Sequence, residues 1–271
     1  MPSTSVLLRA GDRVVGLASA DAEAAHALAR LLDAYRAPDP SPAAVADEWV
    51  RIRVADGIWY VDDARGAETA CRSCAEAVDA AEHFVTLRLL DALDTHLHLH
   101  AAGCALPAGA VLALGPSGAG KSSLALHWSV TGHAVYGDDI ALVDDDAHVH
   151  PFKRLFRVHP DRIARYGDAC RRLGDPDPDE EWFDPGAVGG WAGPAPVRVL
   201  ALARYVPGAP LAITRMLPAE SLAALLAAVM PTGRSATEGF DTLLGMSART
   251  PMVRVTFGEA AEAADALVEM A

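Results

Sequence analysis

The chain has 271 residues, 51% hydrophobic and 22% charged, with a formal net charge of −13 at pH 7. This composition is typical of a soluble globular protein with one large or two modest domains. The acidic balance argues against a broad basic surface for nucleic acid or for an anionic membrane. No apolar run reaches the roughly 18 residues that span a bilayer, and the first residues lack a signal-peptide core. We therefore expect a cytoplasmic protein without nucleic-acid or membrane partners.

The first 94 residues predict a small α+β domain. The dipeptide Asp56-Gly57 stands between two strand-like segments and is typical of a β-hairpin turn. Prolines in the segment APDPSPAA end the first predicted helix, because proline cannot continue it. The predicted elements are strands at 5–10 and 13–19, a helix at about 20–36, strands at 48–55 and 57–63, and a helix at about 76–94.

Four cysteines are spread unevenly along the chain, and only Cys71 and Cys74, in CRSC, have motif spacing. A zinc site would need two more ligands at matching spacing, and a thioredoxin-type site needs its pair at a strand-to-helix turn. Neither context is evident, and four cysteines do not make the disulfide framework of a small secreted domain. We expect ordinary reduced cysteines, Cys104 and Cys170 included.

Residues 95–106, THLHLHAAGCAL, place His96, His98 and His100 at alternate positions. In one extended strand the three side chains would share a face. They would then either hold a metal ion together or flank a single functional histidine. Their spacing alone leaves both interpretations open.

The strongest motif follows the apolar segment AVLALG. GPSGAGKSS satisfies the phosphate-loop pattern GxxxxGK[ST] at every required position and opens a predicted helix. Its glycines allow backbone N–H groups to face a phosphate, and the helix N-terminus favours the same anion. Lys121, one of two lysines in the chain, would contact the β- and γ-phosphates of ATP or another nucleoside triphosphate, and the Ser122 hydroxyl would bind Mg²⁺. The predicted nucleotide-binding residues are Gly115, Pro116, Ser117, Gly118, Ala119, Gly120, Lys121, Ser122 and Ser123.

Two adjacent acids, Asp138 and Asp139, follow in the segment YGDDIALV. Neighbouring side chains on a strand point to opposite faces, so the two acids would have different roles. One would accept the proton of an acceptor hydroxyl while the other supports the metal or the loop. A polar turn without catalytic function fits the same residues equally well.

The rest of the chain predicts alternating strands and helices that form a mixed sheet. The segment 174–194 is rich in Gly, Pro and Asp and predicts a long loop. Turns are expected around 107–109 and 144–146. The predicted strands are 96–106, 110–115, parts of 133–152, 197–206, 210–217 and 252–257, and the predicted helices are 120–132, 221–229 and 259–270.

Residues 100–143 resemble the catalytic core of HPr kinase/phosphorylase-like proteins, which share a phosphate-loop fold with phosphoenolpyruvate carboxykinases. The resemblance rests on a histidine fifteen residues before Gly115, the loop itself, and an acid pair seventeen residues after Lys121. It covers about residues 95–160. It implies an α/β (α+β) fold with a small N-terminal domain, 1–94, followed by a phosphoenolpyruvate-carboxykinase-like P-loop domain with a mixed sheet, 95–271.

The resemblance also implies roles for individual residues. Asp138 would exchange the proton of an acceptor serine, while Asp139 and His100 would line the same phosphate site and Asp139 would join Ser122 at the metal. The segment HPFKRLFRV resembles the PFPR segment of short HPr-kinase-like proteins found beside peptide-modifying enzymes, including lasso-peptide precursor kinases, with a lysine replacing one proline. Arg154 is thereby a candidate contact for a phosphate or the acceptor.

The function predicted in this way is an ATP- and Mg²⁺-dependent kinase that phosphorylates a hydroxyl, most simply serine, of a peptide or protein. The C-terminal signature and the N-terminal domain of bifunctional HPr enzymes are not found in the sequence, so we expect no HPr phosphorylase activity. Two alternatives stay open: a kinase for a small-molecule hydroxyl, and a nucleotide-binding regulatory protein without transfer activity. Because HPr kinases are hexamers, the resemblance also raises the option of a homo-oligomer.

Overall fold

The computed structural model describes residues 4–37, 46–63, 65–159, 161, 166 and 181–270. The chain divides into two compact units, Met1–Asp94 with Gly174–Trp182, and Thr95–Leu173 with Phe183–Ala271. Helices and mixed sheets occur together, which confirms the predicted α/β (α+β) class.

The first unit is built on a five-stranded sheet. Its strands are β1 (Thr4–Ala10), β2 (Arg13–Ser19), β3 (Glu48–Ala55), β4 (Ile58–Asp62) and β5 (Glu68–Cys71). They lie in chain order, with β2 and β3 parallel and the other neighbours antiparallel. The predicted hairpin turn is confirmed: Asp56 and Gly57 have φ of 53° and 76°, as a tight turn between twisted strands requires.

Two helices, α1 (Ala22–Leu31) and α2 (Cys74–Asp91), complete the first unit. Asp21 caps α1 by accepting a hydrogen bond from the Ala24 N–H at 2.9 Å, and Ser73 caps α2 in the same way. The predicted helix 20–36 is too long, because a 3₁₀ turn at Asp33–Tyr35 follows α1. The proline segment that was predicted to end it lies mostly outside the described residues. Strand β5 was missed, since three of its four residues are exposed and it lacks an alternating pattern.

Further strands and helices follow from residue 95 onward. The strands are β6 (Leu97–Leu99), β7 (Ala101–Leu106), β8 (Gly109–Leu114), β9 (Val135–Gly137), β10 (Ala141–Val143), β11 (His148–Pro151), β12 (Phe156–Val158), β13 (Glu181–Phe183), β14 (Ala195–Tyr205), β15 (Ala212–Arg215), β16 (Val229–Gly233) and β17 (Met252–Phe257). The helices are α3 (Lys121–Val130), α4 (Pro218–Ala228), α5 (Phe240–Arg249) and α6 (Ala260–Glu269).

The large sheet of the second unit is mixed, as predicted. Strand β14 lies between β8 and β17 and runs parallel to both. On the other side of β8, the antiparallel strands β7 and β9 continue the sheet, whereas β11, β10, β6 and β16 extend from the first part of β14. The P-loop strand β8 thus has the acid-bearing segment on one side and β14 with β17 on the other.

Both faces of β8 are covered, which explains its entirely apolar sequence. Val111 belongs to a core shared with Leu124 of α3, and α6 packs in the same core. Leu112 points to the opposite core, which contains Leu225 of α4 and Leu243 of α5. Burial on both faces holds the end of β8, and therefore the start of the loop that follows it.

Two predictions for the C-terminal half need correction. The predicted loop 174–194 is partly wrong: residues 174–180 lie outside the described residues, but β13 and a 3₁₀ turn at Pro185–Ala187 occupy part of the rest. Helix α5 and strand β16 were not predicted. Glycine, proline and serine occur within the two elements and in the residues between them, and these residue types weaken the patterns of helices and strands.

In the described part of the chain, no helix has the length and apolarity needed to cross a membrane.

Candidate functional site

The phosphate-loop motif forms the turn between β8 and α3. Gly120 has a φ of 96°, and a Cβ placed there would lie 2.7 Å from Cζ of Phe257, so only glycine fits. Gly120 is also the residue that precedes α3, and no side chain caps this helix. The first N–H groups of α3 are therefore placed to donate to an anion, as in other phosphate-binding helix starts.

Lys121 is buried at the first position of α3. Its Nζ donates hydrogen bonds to the carbonyl oxygens of Gly115 at 2.9 Å and Pro116 at 3.2 Å. Burial lowers the pKa of the ammonium, while Asp139 and Asp138 act in the opposite direction. The charge is thus held beside the loop, where it can meet phosphate oxygens.

A cavity of about 420 Å³ opens over the loop. We call the part lined by the loop, the first turn of α3, His100 and Asp139 the catalytic end. We call the part lined by residues that were not predicted as site residues the second end. The full lining is His100, Ser117, Gly118, Gly120, Lys121, Ser122, Ser123, Leu126, Asp139, Tyr166, Tyr205, Gly258 and Ala260.

Asp138 lies beside the loop but not on a strand. The prediction that the acid pair sits on a strand is wrong, because both residues occupy the bend between β9 and β10. Burial raises the pKa of Asp138 to about 6, and the neighbouring carboxylate of Asp139 adds to the rise. Arg154 and a hydrogen bond from the Ser122 hydroxyl act in the opposite direction. Asp138 is therefore linked directly to the residue expected to bind the metal.

Asp139 faces the cavity and pairs with His100, with Oδ1 and Nε2 2.6 Å apart. Burial would raise its pKa, but the hydrogen bond and charge of His100, with Lys121 and Arg154, keep it below the ordinary value. The Ala101 N–H donates to the Asp139 carbonyl at 3.1 Å, which ties the bend to β7. The two adjacent acids thus have different environments, and their different roles stay a prediction.

The three histidines are not on one strand, so that prediction is wrong. The extended segment breaks at His100, because β6 pairs with β10 and β16 whereas β7 pairs with β8 and β9. His98 is fully buried with Nδ1 2.9 Å from Oγ1 of Thr232, and His96 meets the ring of His150 edge-on. Of the three, only His100 lines the cavity.

Arg154 lies in the segment between β11 and β12, near enough to act on the pKa of both acids. It is half-buried. Arg154 therefore acts on the acid pair electrostatically, and its contact with a phosphate or the acceptor stays a prediction.

The donor set fits magnesium better than a transition metal. Across the described ranges, no group of three or more His, Cys, Asp and Glu side chains is arranged to hold a metal ion. Mg²⁺ needs only one or two protein oxygens when phosphates supply the others. The Ser122 hydroxyl and the Asp139 carboxylate, both lining the cavity, are oxygen donors of that kind.

The CRSC motif does lie at a strand-to-helix turn, since Cys71 ends β5 and Cys74 begins α2. Burial raises the pKa of both thiols, and nearby acids raise it further. A redox-active pair needs a lowered pKa, so the surroundings do not suit thioredoxin-type chemistry. Cys71, Cys74 and Cys104 are free thiols, and Cys170 lies outside the described residues.

Sequence reasoning missed the other end of the cavity. Leu126 lies on α3, Tyr205 ends β14, and Gly258 and Ala260 follow β17. Tyr166 completes the set. No local motif marks these residues; the one signal was a tyrosine at the end of the predicted strand 197–206.

No protein-family model and no curated protein sequence matches the chain. Among solved structures, the HPr(Ser) kinase/phosphatase from Coxiella burnetii is similar at 13% sequence identity and a TM-score of 0.33. The match covers 64% of this chain and 94% of that one. At this TM-score the similarity assigns neither a family nor an activity to this chain.

Proposed function

We propose that the protein is a kinase that uses ATP and Mg²⁺ to phosphorylate a hydroxyl, most simply that of serine, in a peptide or protein. One observation carries the proposal. A buried carboxyl with a pKa raised to about 6, Asp138, is joined by a hydrogen bond to Ser122 of the phosphate loop. A group that can accept a proton near neutral pH is therefore hydrogen-bonded to the loop that we expect to bind the transferred phosphate.

The transfer step assigns the proton to Asp138. The acceptor oxygen bonds to the γ-phosphorus as its proton passes to the Asp138 carboxylate, and the bond to the β-phosphate oxygen breaks to leave ADP. A carboxylate with a raised pKa is a stronger base than an ordinary aspartate. Solvent then takes the proton from Asp138 before the next cycle.

The remaining groups position the phosphates and neutralise their charge. Lys121 and the N–H groups at the start of α3 would bind the β- and γ-phosphates. The pair His100–Asp139, with its 2.6 Å contact, would hold the carboxylate in one orientation, and Arg154 would approach the same region. Mg²⁺, held by Ser122 and Asp139, would neutralise phosphate charge when bound.

Exposure of the catalytic end supports a large acceptor. The side chains of His100 and Asp139 are 34% and 43% exposed, so a hydroxyl carried on a larger chain can approach them from solvent. The expected absence of HPr phosphorylase activity belongs to the same proposal, and the acceptor would be a protein or peptide other than HPr.

The direct test is transfer from γ-labelled ATP with Mg²⁺ to a panel of acceptors. The panel contains serine-bearing peptides, the same peptides with alanine in place of serine, free serine and simple sugars, with products identified by mass spectrometry. We expect label on the serine-bearing peptides alone. Label on free serine or sugars would support a small-molecule kinase instead. Tight ATP binding with only slow hydrolysis would support a regulatory protein.

A further inference from the structure

The cavity has a second end that the transfer chemistry does not use. It is lined by Leu126, Tyr166, Tyr205, Gly258 and Ala260. We propose that this end is the nucleoside subsite, and that it holds a purine base by stacking on Tyr205 without reading the edge of the base. The inference rests on the proposed function only in taking a nucleoside triphosphate as the ligand of the loop.

The direction of the nucleotide follows from the position of the catalytic groups. The γ-phosphate must lie near Asp138, Asp139 and His100 for transfer to occur, so the nucleoside extends from the loop the other way. Residues 122, 123 and 126 run along the cavity on α3, and at 1.5 Å per residue Leu126 lies about 6 Å beyond Ser122 along the helix.

The sheet topology gives the same direction independently. The acids follow β9, on the β7 side of the P-loop strand, whereas β14 and β17 lie on the opposite side. Tyr205 is the last residue of β14, and Gly258 directly follows β17. Ligands of such sheets bind at the carboxyl ends of the parallel strands, so the nucleoside should extend over the ends of β14 and β17.

Tyr205 is held in place by a backbone hydrogen bond and a ring contact, and its surface is partly open. Its N–H donates to the carbonyl of Ala119 in the phosphate loop at 3.1 Å, so its backbone is fixed relative to the loop. Its ring contacts Phe257 at a centroid distance of 6.0 Å and an interplanar angle of 55°. Even so, 45% of the residue is exposed. A supported aromatic ring with an open surface is suited to stacking on a base.

Tyr166 is held by a chain of polar contacts. Its hydroxyl is 3.2 Å from Nδ1 of His127, whose Nε2 is 2.9 Å from Oδ1 of Asp265 on α6. The hydroxyl is thereby engaged by the protein. Tyr166 then offers the cavity mainly ring surface, which adds apolar area next to Leu126 and Ala260.

The chemistry of this end predicts weak discrimination between purines. Strong discrimination between bases needs buried groups that hydrogen-bond to a particular edge. Among the described residues that line this end, none carries a carboxylate or a carboxamide. We expect ATP and GTP to bind within a few-fold of each other, and UTP to bind more weakly because its base offers less area for stacking.

The test uses two probes on the full chain, measured by calorimetry with Mg²⁺. One is a non-hydrolysable ATP analogue, and the other is inorganic tripolyphosphate, which has no base. Tyr205→Ala should lower the affinity for the analogue about tenfold and leave the affinity for tripolyphosphate unchanged. Tyr205→Phe should keep both affinities because the ring remains. Tyr166→Ala serves as a second variant and should weaken the analogue by a smaller factor.

Each other outcome overturns the inference. If Tyr205→Ala leaves the affinity for the analogue unchanged, the base lies elsewhere. If it weakens both probes equally, Tyr205 acts through the phosphate loop and not on the base. A preference of ATP over GTP by more than about a hundredfold would show that the edge of the base is read. If neither probe binds the unaltered chain, the proposed function fails as well, and the two failures are distinguishable.

Discussion

Two clusters of buried charge, one in each unit, are built in different ways. In the first unit, Arg88 is 9% exposed and contacts Asp63 at 3.2 Å and Asp91 at 3.0 Å, with Glu48 nearby at 3.8 Å. Each charge in this cluster faces an opposite charge. The members of this cluster lie on β3, on α2 and directly after β4, and none of them lines the cavity.

In the second unit, Lys121, Asp138, Asp139 and His100 sit beside an open cavity. Here burial is only partly compensated, so the pKa of Asp138 is raised and that of Lys121 is lowered. This difference indicates which cluster is available for chemistry. Charges neutralised by one another contribute to folding, whereas charges left partly uncompensated beside a cavity can act on a ligand.

Replacing the base should have the largest effect. Asp138→Asn removes the proton acceptor but keeps the size of the side chain, so phosphoryl transfer should fall by roughly 10²–10⁴-fold. Affinity for ATP should stay within a few-fold, because the loop and Lys121 remain. Rates are measured with labelled ATP and whichever acceptor of the panel takes up label, and ATP affinity is measured by calorimetry. The matched control, Asp146→Asn at an exposed hairpin tip, should transfer normally. A normal rate in Asp138→Asn would remove the proposed role of Asp138.

Substitutions in the first cluster should lower the unfolding free energy and leave the transfer rate unchanged. Arg88→Met removes the cation that contacts the buried carboxylate of Asp63, whereas Glu48 and Asp91 keep their contacts with Arg65. Breaking a buried pair in this way costs about 3–5 kcal/mol of unfolding free energy. Urea unfolding measures this loss. Arg53→Met removes an exposed pair with Glu68, in which both side chains are nearly half exposed, and should cost at most about 1 kcal/mol. Equal losses in the two variants would contradict the distinction between a buried and an exposed pair.

The two lysines of the chain provide the next comparison. Lys121→Ala removes a buried cation from the phosphate loop, so transfer should fall by roughly 10²–10³-fold and ATP should bind more weakly. Lys153→Ala removes an exposed lysine of the same charge and should leave both properties nearly unchanged. Filter binding of labelled ATP and the transfer assay measure the two effects. If the two variants lose activity equally, the loss reflects net charge and not the position of Lys121.

The sequence predicted the parts of the site that are contiguous. All members of the phosphate loop lie within nine residues, and the spacing on either side of the loop picked out His100 and the acid pair. The structure brings these residues together around one cavity or beside it. Local sequence is sufficient here because one strand, one turn and one helix fix the geometry.

The features that the sequence missed depend on distant segments. Strand β6 ends before His100, because β10 and β16, which follow later in the chain, pair with β6 and not with β7. The contact of Arg88 with Asp63 and the approach of Tyr205 to the loop likewise join residues far apart in sequence. The periodicity of hydrophobic residues does not specify which distant segments pair, so a single sequence predicts the elements but not their partners.

The smallest predicted effect concerns pH. Asp138 acts as a base only when deprotonated, and its pKa is raised to about 6, so transfer should fall as the pH drops through 6. Between pH 7 and pH 5 the deprotonated fraction falls about tenfold, and the rate should follow it.

Arg154 stabilises the Asp138 carboxylate, so Arg154→Gln should move the midpoint of the pH–rate profile to higher pH. Lys153→Gln removes a positive charge from the adjacent residue and should leave the midpoint nearly in place, because Lys153 is exposed, whereas Arg154 is the charge that most lowers the pKa of Asp138. Rate profiles from pH 4.5 to 8 measure both midpoints, and equal shifts in the two variants would mean that the arginine acts through net charge and not through its place beside the acid pair.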